Sequence, residues 1–307
     1  MSTVKKVCLP RSDRWPIHFS APGLKRYQTE EFEQRNPIEF VGISLTGWTC
    51  VLQCDHCRGR LLEGMLRAHK GQLVELCERL SARGTKGVLL SGGSDGNGNV
   101  PVLEFGEEIC EIKHRLGMTV AVHTGLVSES LAECLAEAEI DAAMIDVVGD
   151  GETIRRVLHM QATVEDFDRS LARLAEHGVP MAPHIVLGLD YGRLVGERRA
   201  LDMVSAYPVY ALVIAILTPV LGTPMQDVEP PGDGEIGRFF ERARQKLPDA
   251  RVNLGCARPM GLRKLAIDRM AVEAGFDGIA YPAEGTVACA VESGRRPVFK
   301  ETCCAVL

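Results

Sequence analysis

The sequence predicts an α/β fold of the (βα)-barrel kind, and three observations carry that expectation. Short apolar runs rich in strand-forming residues alternate with segments of helical period, the pattern of parallel βα units rather than of a helical bundle or a sandwich. Up to eight such units occur along the 307 residues. No stretch between them is rich enough in proline, glycine or serine to mark a domain boundary, and 46% hydrophobic residues supply the core that a barrel of this size needs.

In order along the chain, residues 1–40 are polar and aromatic without period and read as an arm laid over the barrel. The barrel is expected at 41–285, with strands at 41–45, 87–90, 119–123, 142–147, 181–187, 211–217, 251–255 and 278–281. Helices are expected where apolar side chains recur at three and four: Leu73, Leu76, Cys77 and Leu80; Phe105, Ile109, Ile112 and Leu116; Leu131, Cys134, Leu135 and Ala138; Phe167, Leu171 and Leu174. The longest apolar stretch, 207–221, contains Pro208 and Pro219 and is too short to span a bilayer, so it reads as a buried strand with its flanks. Residues 232–237 read as a surface loop and 286–307 as a C-terminal tail.

With 35 Lys+Arg against 41 Asp+Glu the chain carries a formal charge of −6 and no long basic run. Nucleic acid and anionic membranes are therefore not expected as partners. The N-terminus lacks an apolar export segment, so a cytoplasmic, reducing location is expected. Eleven cysteines in such a chain divide into metal ligands, reactive thiols and buried fillers rather than a disulfide framework.

Directly after the first expected strand, the segment SLTGWTCVLQCDHC puts Cys50, Cys54 and Cys57 at CxxxCxxC spacing on one strand-to-helix loop. In a barrel such loops form the catalytic face. Three thiolates on a short loop suit a soft metal centre. An iron–sulfur cluster ordinarily takes four, so three leave one iron open to a substrate or cofactor group. A zinc site that adds His56 or His69 is the competing arrangement; it is disfavoured because His56 adjoins Cys57 and would have difficulty turning to the same metal.

This loop resembles the cluster motif of the radical S-adenosylmethionine (radical SAM) enzymes. After the second strand, Ser91, Gly92, Gly93 and Ser94 are similar to that family's Gly-Gly-Glu segment, whose backbone holds the methionine amino group; Ser94 stands in place of the glutamate. The run from His184 and Ile185 to Gly188 resembles the segment that touches adenine, and Thr218 with the following Gly-Thr-Pro resembles the end of the sixth strand in biotin synthase. The resemblance implies ribose or substrate contacts at His123 and Thr124. It also implies a [4Fe-4S] cluster on Cys50, Cys54 and Cys57, bound S-adenosylmethionine and a radical-SAM barrel.

Strand order and count look most like biotin synthase. The segments APGLKRYQTEEF, CDHCRGRLLEGM, LGCARPMG and ETCCAVL resemble one subunit of the two-component, archaeal-type lipoyl synthases. That resemblance implies sulfur insertion into an octanoyl chain on a lipoyl carrier protein, with a second related radical SAM subunit and a reductant such as ferredoxin as partners. Cys77, Cys110 and Cys134 fall on or beside helical apolar stripes and read as fillers; Cys8 lies in the arm. Cys256 follows the seventh strand, and Cys303 and Cys304 form a vicinal pair without a packing rationale on a tail expected to be mobile. These three are expected to hold an auxiliary [4Fe-4S] cluster, with Cys289 as a possible fourth ligand and Arg258 as a substrate or cluster contact. The alternatives are a biotin-synthase-like enzyme acting on a small cofactor precursor and a non-catalytic iron–sulfur subunit.

Overall fold

The computed structural model describes residues 15–23 and 26–307; Cys8 and two residues of the APGLKRYQTEEF segment lie outside them. The strands are β1 (Pro16–Ser20), β2 (Phe40–Ser44), β3 (Leu66–Arg67), β4 (Gly87–Ser91), β5 (Thr119–His123), β6 (Ala142–Met144), β7 (His184–Leu187), β8 (Ala211–Ile216), β9 (Arg251–Leu254), β10 (Gly278–Ala280) and β11 (Arg296–Lys300). Around them pack α1 (Leu73–Ser81), α2 (Gly106–His114), α3 (Glu129–Glu137), α4 (Gly151–Arg156), α5 (Val164–Glu176), α6 (Glu197–Val204), α7 (Asp233–Lys246), α8 (Leu262–Glu273) and α9 (Thr286–Glu292). Helix starts follow local chemistry: Ser128 accepts the Leu131 amide, Asp150 accepts that of Thr153, and Thr163 with Asp166 forms a capping box.

All ladders are parallel, in a five-stranded run β3-β2-β4-β5-β6 and a six-stranded run β11-β1-β10-β9-β8-β7. Four backbone bonds of 2.8 Å join the two at β6 and β7: Ala143 to Pro180, Ala182 to Ala143, His184 to Ile145 and Val147 to His184. The eight expected strands therefore stand side by side in chain order as β2 and β4 to β10. They do not close on one another. β10 takes β1 as its next neighbour and β1 takes β11, while the far side of β2 is covered by β3. Among the described residues the remaining gap is bridged without a ladder, by Gly23 donating to Phe40 O and by the Glu301 carboxylate accepting the amides of Arg35 and Asn36.

Three expectations are corrected. Residues 16–20 are a strand within the sheet, with Ile17 and Phe19 fully buried, rather than a stretch of covering arm. Residues 232–237 open α7: Gly232 caps it, Glu235 accepts the Gly232 amide at 3.2 Å, and Ile236, Phe239, Phe240 and Ala243 supply the buried stripe. The stretch 286–300 is α9 and the edge strand β11, which leaves only the last few residues as tail.

That tail is an interior element. Cys303, Cys304, Ala305 and Leu307 are buried in one cluster with Phe40, Met144, Val213 and five alanines, Ala121, Ala142, Ala182, Ala211 and Ala280. Small side chains on the inner wall leave the axial space that the tail occupies. It enters at the C-terminal ends of the strands and runs down the axis: Asn253 Nδ2 donates to Cys304 O at 2.8 Å, and Tyr210 donates to Leu307 O at 2.8 Å near the strand starts. Leu307 lies so close to Gly278 that a β-carbon there would meet it at 2.5 Å. Burying a side chain such as Leu307 contributes roughly 2 kcal/mol.

Candidate functional site

The three-cysteine loop leaves β2 and is drawn into a tight turn, with the amides of Cys57 and Arg58 both donating to Cys54 O at 3.1 and 2.8 Å. Gln53 and Arg58 adopt positive φ to make it. The donor atoms of Cys54, His56 and Cys57 lie within 4.8 Å of one another. His56 thus turns to the same point as its neighbour Cys57, contrary to the sequence expectation, because the turn folds both side chains inward. Cys57 is acidified to about 4, first by the hydrogen bond from Cys54, then by His56, against the effect of burial. Cys54 moves the opposite way, raised by the bond that it gives Cys57 and by burial. Cys50 stands on the other arm of the loop, near enough to add to the rise at Cys54.

Gly92, Gly93 and Ser94 follow β4 and lie under this loop. Thr46 Oγ1 accepts the Gly93 amide at 2.7 Å, and Val51 donates to Ser94 O at 2.9 Å. A β-carbon on Gly93 would meet Thr49 O at 2.0 Å and Cys50 Cα at 2.5 Å, so only glycine admits the loop here. Beside them opens a cleft of about 580 Å³, lined by Thr46, Thr49, Gly93, Ser94 and Asp95 among others.

Across the barrel mouth, His123 ends β5, Asp146 follows β6 and His184 opens β7. His123 Nε2 is 3.3 Å from Asp146 Oδ2, and the two imidazole rings are 5.8 Å apart. Burial lowers the His123 imidazole, but the charge and hydrogen bond of Asp146 outweigh it and leave the pKa raised. His184 is lowered to about 4, chiefly by burial. Asp146 is held well below the carboxylate range by His123, His184 and His56, which overcome the opposing effect of burial. Sequence reasoning missed Asp146; its only signal is one acid in an otherwise apolar run, Ile145 to Val148.

Cys256, Cys303 and Cys304 lie within electrostatic reach of one another, and Cys303 within reach of His123, but their three sulfurs do not all lie within 4.8 Å of one another. The Cys304 thiol donates to Cys303, lowering Cys303 and raising itself, and the charges of Cys303 and Cys256 raise Cys304 further. Cys256 keeps solvent access, whereas the vicinal pair is buried rather than mobile, because the tail is packed against the inner wall. Cys289 is not brought to this group: it lies on α9 beside Arg269, Glu273 and Glu292, on the helical layer outside the strands.

Four further expected site residues are engaged within the protein or face away from the mouth. Arg258 is fully buried and commits four of its five guanidinium N–H donors to Asp268 (2.7 and 3.1 Å), Gly255 O and Tyr281 O. Ile185 is fully buried while His184 and Val186 remain partly open, so strand alternation turns Ile185 to the helices and its neighbours to the mouth. The buried Thr124 hydroxyl is committed to Gly125 O and Met144 O, and that of Thr218, partly buried, to Ile216 O.

Cys54, Cys57 and His56 form a close donor group in which one thiol is acidified, and Cys50 stands outside it on the same glycine-cradled loop, a set that fits a soft, thiolate-rich centre. Residues 46–192 match the family model described as the radical SAM superfamily. This segment, a little under half of the chain, is similar to radical SAM domains. It contains the three-cysteine loop, the Gly-Gly-Ser segment, His123, Asp146 and His184. Biotin synthase of Prochlorococcus marinus (strain NATL1A) is 28% identical over 191 residues, 61% of this chain and 52% of that protein. Biotin synthase of Synechococcus sp. (strain CC9605) is 29% identical over 174 residues, 54% of this chain and 50% of that one. The chain thus spans about half the length of these curated relatives. The fold of most of the chain is shared with methylornithine synthase (PylB), at a TM-score of 0.59 and 14% identity over 85% of this chain and 84% of that one. The FeFe-hydrogenase maturase HydG from Carboxydothermus hydrogenoformans gives a TM-score of 0.60 at 16% identity, over 86% and 68% of the two chains. No helix among the described residues is long and apolar enough to cross a membrane.

Proposed function

We propose that the chain is a radical SAM enzyme that inserts sulfur into an unactivated carbon, acting as a lipoyl synthase subunit on an octanoyl chain carried by a lipoyl carrier protein. One observation supports this reading beyond residues 46–192: Cys256, from the loop after β9, and the vicinal pair Cys303 and Cys304 on the tail lie within electrostatic reach of one another, and Cys303 within reach of His123. Bound at the two thiol groups, iron–sulfur clusters together with S-adenosylmethionine supply the radical and the sulfur for such an insertion. The residues' own role is placement. Cys50, Cys54 and Cys57 hold one centre at the rim, and the backbone of Gly92 and Gly93 offers a close approach to the methionine moiety. The tail closes the barrel below and keeps water from that side. A second radical SAM subunit and a ferredoxin-like reductant complete the proposed system.

Iron and acid-labile sulfide per chain, measured after anaerobic reconstitution, test the reading. About eight irons in the wild type and about four in the Cys303→Ala/Cys304→Ala variant are expected, as two cubane clusters require. That variant should still cleave S-adenosylmethionine while failing to sulfurate an octanoyl-lysyl peptide. About four irons in both proteins would overturn it. A second reading, a biotin-synthase-like enzyme acting on a small cofactor precursor, is favoured by the polar group of His123, Asp146 and His184 at the mouth, which suits a polar substrate better than a bare acyl chain. It predicts sulfuration without a carrier protein.

A further inference from the structure

Asp55 stands inside the three-cysteine loop, between Cys54 and Cys57, with its side chain nearly closed off from solvent. Two other segments meet on it. Its amide donates to Val157 O at 2.9 Å, the Tyr191 hydroxyl donates to its Oδ2 at 2.8 Å, and His159 Nε2 lies 3.2 Å from its Oδ1. Arg58 approaches that second oxygen at 3.6 Å. His159 turns its other ring nitrogen to Leu52 O at 3.1 Å, and Cys54 Sγ contacts Leu158 O at 3.4 Å. The loop is thus pinned at residues 52, 54 and 55 to the segment after α4, and at Asp55 to the loop after β7.

Both side chains that grip Asp55 come from residues with left-handed backbone, His159 at φ 55° and Tyr191 at φ 50°. Six non-glycine residues among those described have positive φ, and two more of them, Gln53 and Arg58, lie in the loop itself. Left-handed backbone is disfavoured for any residue that carries a β-carbon. Four in one patch persist only because surrounding contacts determine the conformation, and such concentrations mark functional sites.

We infer that Asp55 is a positioning residue. With Tyr191 and His159 it latches the three-cysteine loop in its ligand-ready shape before any cluster is present, and through Tyr191 it ties that shape to the loop after β7, whose strand carries His184. The inference rests on the reading of Cys50, Cys54 and Cys57 as cluster ligands, but the latch residues bind no ligand themselves.

Two measurements test it on the full chain: hydrogen exchange of the amides of residues 52–60 in the metal-free protein, and the rate of iron loss to a chelator after reconstitution. Asp55→Ala should speed both by about tenfold, the loss expected of buried bonds to a charged group. Tyr191→Phe, which keeps the ring, should shift both in the same direction by less. The double variant should be no faster than Asp55→Ala, because Tyr191 acts through Asp55. Wild-type rates in a folded Asp55→Ala protein overturn the inference. If Asp55→Ala fails to fold, unchanged rates in Tyr191→Phe overturn it instead. A wild type that takes up no iron refutes the cluster reading, and the exchange measurement then decides the latch by itself.

Discussion

His123 Nε2 and Asp146 Oδ2 lie 3.3 Å apart at the ends of neighbouring strands, and their charges depend on each other. His123 is raised, so its contribution to stability is complete below the unfolded imidazole value of about 6.5 and is lost as pH rises through the folded value. Asp146 is lowered, so its contribution is present above the unfolded carboxyl value of about 3.9 and is lost as pH falls through the folded one. The pair is therefore fully formed between about pH 4 and 6.5. Asp146→Asn should lower the melting temperature more at pH 6 than at pH 9. Equal losses at the two pH values would show that the pair does not form.

Arg258 and Asp268 are the most deeply buried ion pair described, with no side-chain exposure on either partner. Replacing Arg258 by Met strands the carboxylate that also accepts from Ala283 N and Thr286 Oγ1. A loss of about 3–5 kcal/mol of folding stability is expected, and the Arg258→Met/Asp268→Leu double variant should recover some of it. Urea unfolding measures both. A single-variant loss below about 1 kcal/mol would contradict the burial argument.

Gly93→Ala should fold yet lose the iron of the first site, because the added methyl displaces Thr49 O and Cys50. Circular dichroism and iron content after reconstitution check the two halves of that statement. Full iron in the folded variant would mean that the loop has more room than its contacts allow.

The tail's space is made by small side chains, so Ala211→Leu should expel it. Overpacking at such a position costs about 1–3 kcal/mol. The visible sign is chemical: Cys303 and Cys304, slow toward a thiol reagent in the wild type, become fast in the variant. Unchanged reaction rates would show that the tail tolerates the larger side chain.

Much of this architecture was legible in the sequence because each inner strand is an apolar run bounded by turn residues, and each main helix repeats at three and four. β1 and β11 escaped because PIHFS and RPVFK are short, half polar and each carry a proline, so they resemble connecting chain until each other's ladder is known. Gly232 looked like a loop because a capping glycine and a turn glycine are the same residue. Within the site, the approach of Cys54 to Cys57 was foreseeable from their spacing, since the loop is local, whereas that of His56 was not. Asp146, Tyr191 and His159 were not, because their roles depend on strands and loops far apart in the chain. Arg258 misled for the opposite reason: its partner Asp268 lies ten residues away on α8, and no pattern in the sequence joins them.

The strap formed by residues 301–307 shares no strand ladder with the barrel that surrounds it. Its lower half is held by Asn253, Tyr210 and apolar contact, and its entrance by the clasp of Glu301 on two amides. Two of the thiols proposed to carry sulfur therefore sit on a segment that no strand ladder holds in place. Loosening the few side-chain and apolar contacts of that segment would bare both thiols while the strand ladders stay intact.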